Sequence, residues 1–396
     1  MPPFTDRFKS LPVYMLAAIP AKKRELVSRG VDVIDLGAGD ADLAPPPAAV
    51  ARLQQAATES RLWRYGFSMG LPEFRESAAR FMQARFGLAF DPMTELQPLI
   101  GSKEGIGHLA LAYAQPGDVT IIPEPGYLSY LGGTLLSDAT PYYYPLRPRT
   151  QFLVEPEELP EETLRRTRIL YLNYPNNPTA AIAPREYLAR MVAFCRARDI
   201  LLVYDNAYSE LAFDGYVPPS IFEIDGAREC AIEFHSVSKT FNMTGARLGW
   251  CAGNREIVGA LAKVKSFLDT GPFLAVQAAG AAALDSWAEF MPGQVATFRD
   301  RRDAAHASFT AAGFAADLPK ATMYVWCALP EGLPSAEFAE RLMQDEGVIV
   351  IPGSAFGDGG EGFFRVSLTV SPERLKEAAE RAGRVLAKLV VPAAAN

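Results

Sequence analysis

Ser236-Val237-Ser238-Lys239, with Arg247 eight residues past the lysine, gathers two hydroxyls, a primary amine and a fixed cation into twelve residues. A desolvated lysine loses its proton more readily than one in water, and the free amine then adds to carbonyl groups to form an imine. Hydroxyls and a guanidinium close by suit an oxyanion such as a phosphate. The same short pattern also occurs on solvated surfaces, so its chemistry depends on what the fold brings near it. Further polar groups stand out at Gly101-Ser102-Lys103-Glu104, Asn176-Asn177-Pro178-Thr179 and Asp205-Asn206-Ala207-Tyr208. Arg365 sits among Phe363, Phe364, Val366 and Leu368, and a charge in so apolar a run needs a partner.

These groups share a position relative to the predicted elements. Strands are expected at Leu96–Ile100, Val119–Ile122, Arg168–Asn173, Ile200–Tyr204 and Glu229–His235, and helices from Gly105 to Ala114 and over Arg185–Arg198. The β-α-β series predicts a largely parallel sheet with helices on both faces. Ser102, Asn177, Asp205 and Lys239 then fall at or just beyond strand carboxyl ends, the edge at which open α/β sheets bind ligands. A turn-rich segment follows at Thr240–Gly245, so Lys239 is expected just past its strand. Downstream, helices to about Asp285 and over Arg299–Ala312, strands at Met323–Leu329 and Phe363–Val370, and a helix from Pro372 to about Leu389 predict an α+β companion domain. At the start, an arm and helix are expected over Pro12–Gly30 and a strand over Val31–Leu36, with a hinge at Pro45-Pro46-Pro47.

Composition narrows the options. At 396 residues the chain exceeds one ordinary core, and 49% hydrophobic with 21% charged residues is a globular balance. A net charge of −7 without a block of like charges gives no footprint for nucleic acid or an anionic membrane. Neither a signal-peptide core nor a stretch of transmembrane length is visible, so the cytoplasm is the expected location. Cys195, Cys230, Cys251 and Cys327 stand apart and read as reduced structural thiols. His108, His235 and His306 are too scattered for a histidine metal site, and no metal is expected.

Taken together and in order, the motifs above, with Phe364-Arg365-Val366-Ser367, resemble those of the fold-type I, class I/II aminotransferases, from about Leu36 to Leu368. The resemblance implies pyridoxal 5′-phosphate as cofactor and an α/β fold. A large domain with a mostly parallel seven-stranded sheet (45–285) would be joined by a smaller one built from the N-terminal arm (1–44) and the C-terminal segment (286–396). It implies a catalytic set of Lys239, Asp205 and Tyr208. Lys239 would carry the cofactor as a Schiff base and shuttle the proton; Asp205 would pair with the pyridine nitrogen; Tyr208 and Asn177 would bond the ring oxygen. Gly101, Ser102, Lys103, Ser236, Ser238 and Arg247 would hold the phosphate, and Tyr127 would stack on the ring. Gly39, Asn177 and Arg365 would bind substrate, Arg365 through the α-carboxylate. Tyr65 would reach the neighbouring subunit's site, making the active unit a homodimer. Ala41, Ala180 and Ala246 depart from the family pattern without removing a chemical group.

The reaction implied is ping-pong transfer of an α-amino group from an amino acid to a 2-oxo acid through imines of the cofactor. Within the family the segments are most similar to bacterial LL-diaminopimelate, aspartate and alanine aminotransferases, so these amino acids and glutamate are the candidate donors. No second arginine for an ω-carboxylate is visible. Lys265–Gly271 is expected near the substrate, where Phe267 would favour neutral or aromatic amino acids. A β-eliminating lyase of the cysteine-S-conjugate type is the alternative, since the same residues serve both reactions up to the carbanion. A DNA-binding regulator on this fold is disfavoured by the short arm and the acidic chain.

Overall fold

A computed structural model describes residues 2–12, 19–67 and 69–390. Its strands, in chain order, are β1 (Ile34–Asp35), β2 (Leu96–Leu99), β3 (Val119–Glu124), β4 (Thr140–Pro145), β5 (Thr167–Asn173) and β6 (Leu201–Asp205), then β7 (Ala231–Ser236), β8 (Gly249–Gly253), β9 (Tyr324–Ala328), β10 (Val348–Ile349), β11 (Ile351–Pro352) and β12 (Phe363–Ser367). Seven of them form one sheet in the order β2-β8-β7-β6-β5-β3-β4, in which β8 runs antiparallel to both neighbours and the rest are parallel.

Both faces of this sheet are buried, and the strand period of two sorts the side chains between them. Tyr171, Val203, Ile232 and Phe234 pack on one side with Ile106, Leu109 and Tyr130. Leu170, Leu172, Leu202 and Tyr204 pack on the other with Leu188, Met191 and Val192. Register then sets the site. Asn173 lies beside Asp205, Asp205 beside Phe234, Ser236 beside Gly249, and Gly249 beside Leu99, so the ends of β5, β6, β7 and β2 form one row.

A second core joins Ile34, Leu36, Phe298, Phe309, Tyr324, Phe338, Val348, Phe364 and Leu375. Here β11, β12 and β9 make an antiparallel sheet, and β1 pairs in parallel with β10. The predicted strand Val31–Leu36 is thus reduced to two residues that join the C-terminal strands. Other boundaries also moved. Gly226 takes a left-handed φ of 82° and starts a short helix at Ala227–Cys230, which shortens the expected Glu229–His235 strand from its start. The expected Arg299–Ala312 helix begins at Trp287 and runs to Ala311 with Pro292 inside it. Met291 is buried and Trp287 and Phe290 pack on the core, and that packing outweighs the N–H that Pro292 lacks. Pro47, expected in a hinge, opens the helix Pro47–Ala56, where a missing N–H is harmless. Of the predicted arm and helix over Pro12–Gly30, the helix runs Ile19–Ser28, and residues 13–18 lie outside the described ones.

Gly249 is the tightest point of the row. A Cβ there would stand 2.6 Å from the His235 carbonyl and 3.0 Å from the Ser102 nitrogen, both backbone atoms. Gly249→Ala is expected to destabilise the protein by about 2 kcal/mol, as other overpacked sites do. Denaturant unfolding measures it, and an unchanged midpoint would show that the row is less rigid than its register implies.

Candidate active site

The row opens into a cavity of about 620 Å³. Gly39, Gly101, Ser102, Lys103, Tyr127, Asn177, Asp205, Tyr208, Ser236, Ser238, Lys239, Arg247 and Arg365 all line it. Of the residues singled out from the sequence, Tyr65 lies elsewhere, 71% exposed. Phe267, expected near the substrate, is 83% exposed and also outside this cavity.

At one end the helix Ser102–Tyr113 starts with its first N–H groups free of helical partners, a setting that favours anions. Gly101 precedes it at φ 73°, and a Cβ there would come 2.5 Å from Arg247 Nη2, so only glycine admits the guanidinium. Arg247 itself has φ 50° and donates from Nη1 to the Thr244 carbonyl at 3.1 Å. Ser236 caps the one-turn helix Val237–Thr240, its Oγ accepting from the Ser238 N–H at 3.1 Å. Lys239 therefore stands on a helical turn just past β7, and its ammonium donates to the Gly39 carbonyl. Burial, and then Arg247, lower the pKa of Lys103, as a crowded positive end would.

Asp205, at the end of β6, is buried. Tyr130 donates to its Oδ2 at 2.9 Å, while Oδ1 has no hydrogen-bond partner. Burial pushes this carboxyl up to about 6, against the opposing pull of the Tyr130 hydroxyl and the Ala207 N–H. Asn173 donates to the Asp205 carbonyl at 2.7 Å and accepts from the Asn177 N–H at 2.7 Å, tying β5 to the Asn177 turn. Ala180, where the family pattern has glycine, holds a left-handed φ of 59°, a conformation that costs about 1 kcal/mol without glycine.

Arg365 is held on two sides. Nη1 donates to Asn177 Oδ1 and Nη2 to the Gly37 carbonyl, both at 2.7 Å, while Nε is buried without a partner. Its guanidinium lies 4.2 Å from the Tyr324 ring centroid and 5.0 Å from that of Phe356. Tyr324 and Tyr208 share a hydroxyl contact at 3.0 Å. Burial opposes ionisation of both phenols; Arg365 and Lys239 nonetheless bring Tyr324 below its ordinary value, while Tyr208 stays well above it. A Cβ at Gly39 would stand 2.4 Å from the Tyr324 oxygen.

Sequence reasoning missed Tyr130, Asn173, Gly37 and Tyr324. Tyr130 is three residues past Tyr127 and meets its ring edge-on, and Asn173 is the one polar side chain ending an apolar strand; both carried a signal. Gly37 and Tyr324 act through long-range contacts that carry none. Among the described residues, Glu104, His108 and Asp269 come close enough to hold a metal. The Lys265 ammonium already bonds Glu104 at 2.8 Å and Asp269 at 3.1 Å, so this cluster has its cation.

The sequence matches the family Aminotransferase class I and II over residues 31–381. It is 44% identical to the LL-diaminopimelate aminotransferase of Moorella thermoacetica, over 97% of this chain and 98% of that one. Among solved structures, substrate-bound BacF from Bacillus subtilis superposes with a TM-score of 0.92 at 32% identity, over 97% of this chain and 98% of the other. A Thermus thermophilus aspartate aminotransferase mutant does so with a TM-score of 0.90 at 30% identity, over 97% and 100%. The chain belongs to the class I and II aminotransferases. It is a pyridoxal 5′-phosphate-dependent enzyme that exchanges an amino group between an amino acid and a 2-oxo acid. The cavity fits that cofactor: an unpartnered Asp205 oxygen suits a protonated ring nitrogen, and the glycine-cradled Arg247 at a helix start suits a phosphate.

The raised Asp205 pKa has a consequence for the cofactor-free protein. The fold favours protonated Asp205, so its contribution to stability is complete below about pH 4 and is lost as pH rises through about 6. Relative to Asp205→Asn, the cofactor-free wild type should lose about 2 kcal/mol between pH 4 and pH 7. Tyr130→Phe, which removes the opposing hydroxyl, should extend that loss to higher pH. Urea unfolding across the range reads both, and parallel curves for all three proteins would reject the assignment.

Proposed function

We propose that this enzyme takes its amino group from LL-diaminopimelate, with aspartate, alanine and glutamate as lesser donors. The relatives with that name support the reading, as does the convergence of Lys239, Asp205, Asn177 and Arg365 on one cavity. When bound, the cofactor supplies an imine-forming aldehyde and a ring that draws electrons from the substrate Cα. In this reading the N–H groups of Ser102 and Lys103, the hydroxyls of Ser236 and Ser238, and Arg247 hold the phosphate, with Gly101 allowing the close approach. Asp205 keeps the ring nitrogen protonated, and Tyr127 covers the ring face. Tyr208 and the Asn177 amide donate to the ring oxygen; the Arg365 contact fixes which way that amide faces. Arg365 takes the substrate α-carboxylate beside the Gly39 backbone, and Lys239 moves the proton from Cα.

The division into residues 1–44, 45–285 and 286–396 is part of the same reading, supported by the separate cores and by the β1–β10 pairing. With Arg365 on one body and Lys239 on the other, substrate binding is expected to close the cleft between them. We further propose a homodimer in which Tyr65 enters the neighbouring site. Trp63, Tyr65, Phe67 and Phe267 are all largely exposed, and Trp63 contacts Phe273 at 5.1 Å, an aromatic surface that suits burial by a second copy. No helix among the described residues is long and apolar enough to cross a membrane, and the cytoplasm is the proposed location.

Purified protein should absorb visible light from its bound cofactor, and Lys239→Ala should lose that band and all turnover. Without an acceptor, LL-diaminopimelate should give stoichiometric 2-oxo acid faster than the other donors; catalytic ammonia release would instead mark a β-eliminating lyase. Chains carrying Tyr65→Ala and Lys239→Ala, each weak or dead alone, should recover activity when mixed as hybrid dimers, because one site then has both groups intact. Failure to recover in confirmed hybrids would place Tyr65 outside the neighbouring site.

A further inference from the structure

Most charged side chains lining the cavity are engaged at its inner end. Asp205 accepts from Tyr130, Lys239 donates to Gly39, Arg365 is held by Asn177 and Gly37, and Asp40 accepts from Thr244. Lys103 and Arg247 lie at the helix start where an anion is favoured. Two lining charges belong to none of these arrangements. Lys23, on the helix Ile19–Ser28, and Asp35, ending β1, meet each other at 2.9 Å between Nζ and Oδ2.

The pair is built unevenly. Asp35 Oδ1 accepts from the N–H of Gly37 at 3.0 Å and of Ala38 at 3.4 Å, so the carboxylate is fixed by its own turn. That turn also presents the Gly37 carbonyl to Arg365. The partner cation rides on a long flexible stem, with Lys23 44% exposed and Asp35 17% exposed. A fixed anion and a movable cation therefore share one wall of the cavity, and the turn that fixes the anion also helps to hold Arg365. A part-exposed ion pair of this kind is worth little and opens at small cost.

We propose that Lys23 and Asp35 form the subsite for a second amino-acid head on the substrate, one that carries both an ammonium and a carboxylate. The distal ammonium takes Asp35 Oδ2 and the distal carboxylate takes Lys23 Nζ, so one ion pair opens and two form with no change in net charge. A side chain with one charge fares worse. An ω-carboxylate that meets Lys23 also faces Asp35, and an ω-ammonium that meets Asp35 also faces Lys23. This selects a zwitterionic end without a second arginine. It rests on the reading that LL-diaminopimelate is the donor.

Lys23→Met keeps the stem and removes the charge; Asp35→Asn keeps an oxygen for the Gly37–Ala38 turn. Each is expected to raise KM for LL-diaminopimelate by roughly tenfold, about 1.4 kcal/mol, with kcat and the alanine reaction changed less than twofold. Unchanged KM in both variants overturns the subsite. Equal losses with alanine also overturn it, since they would mark a role in shaping the turn alone. If the wild type turns over alanine and leaves LL-diaminopimelate untouched, the donor reading has failed and the subsite falls with it.

Discussion

A buried carboxylate that is left incompletely satisfied is the constraint on which the rest of this site depends. Asp205 is 4% exposed, and its Oδ1 has no partner, a costly state for a group that can ionise. Glu233, on neighbouring β7, shows how the same fold treats a carboxylate of purely structural use. It is fully buried, with Asn206 donating at 2.8 Å, the Ile221 N–H at 3.0 Å and the Ser220 hydroxyl at 2.5 Å. The unmatched oxygen of Asp205 contrasts with that arrangement, and a protonated pyridine nitrogen is the kind of group that would satisfy it. The side chain that bonds the Asp205 carboxylate is rigidly placed. Tyr130 stacks on Tyr171 at 4.7 Å and 11° and meets Tyr127 edge-on at 5.7 Å, so its hydroxyl holds one oxygen of this cavity-lining residue and leaves the other unpaired.

The second requirement is to bring Arg365 to that carboxylate, although the two belong to different sheets. A strip of N-terminal backbone does this. The carbonyls of Gly37, Gly39 and Ala44 accept from Arg365, Lys239 and Asn242 in turn, and Asp40 accepts from Thr244. Three residues from the β7–β8 connection and one from β12 are therefore bonded to a single stretch of chain. Glycine is required within it, because the Tyr324 hydroxyl occupies the space that a side chain at position 39 would take. Asn177 closes the ring by bonding Arg365 from the large sheet. Any change in the spacing of the two sheets must alter these bonds together.

The inner end of the site was legible because sheet geometry is. Apolar runs ending in Asn173, Asp205 and Ser236 mark strand ends whose register follows from parallel pairing, and polar residues just beyond them have one common place to go. Order and spacing of the motifs then identified the family. Elements held by distant contacts were less legible. β1 is a strand only where Val348 and Ile349 lie beside it, and the helix through Pro292 persists because Trp287, Phe290 and Met291 pack on the cores. Phe267 lies on the surface of this chain, outside its own cavity, and spacing from a motif does not say which copy of a chain a residue serves.

The outer wall of the cavity shows why specificity is harder to read than chemistry. Its charged pair joins a helix to a strand end, and the segment before that strand is fixed from far away: Asp32 accepts from Arg374 and Arg381 at 2.8 Å each, both on the last helix of the described chain. No short motif records such a contact. Asn177, Asp205, Ser236 and Lys239 are each tied to the carboxyl edge of the large sheet, in the part of the cavity proposed to hold the cofactor. Lys23 and Asp35 touch that machinery only through the Gly37–Ala38 turn, and a change at Lys23 leaves even that turn intact. A fold organised this way can exchange one substrate for another at its N-terminal wall while the carboxylate, the amine and the arginine stay where the sheets put them.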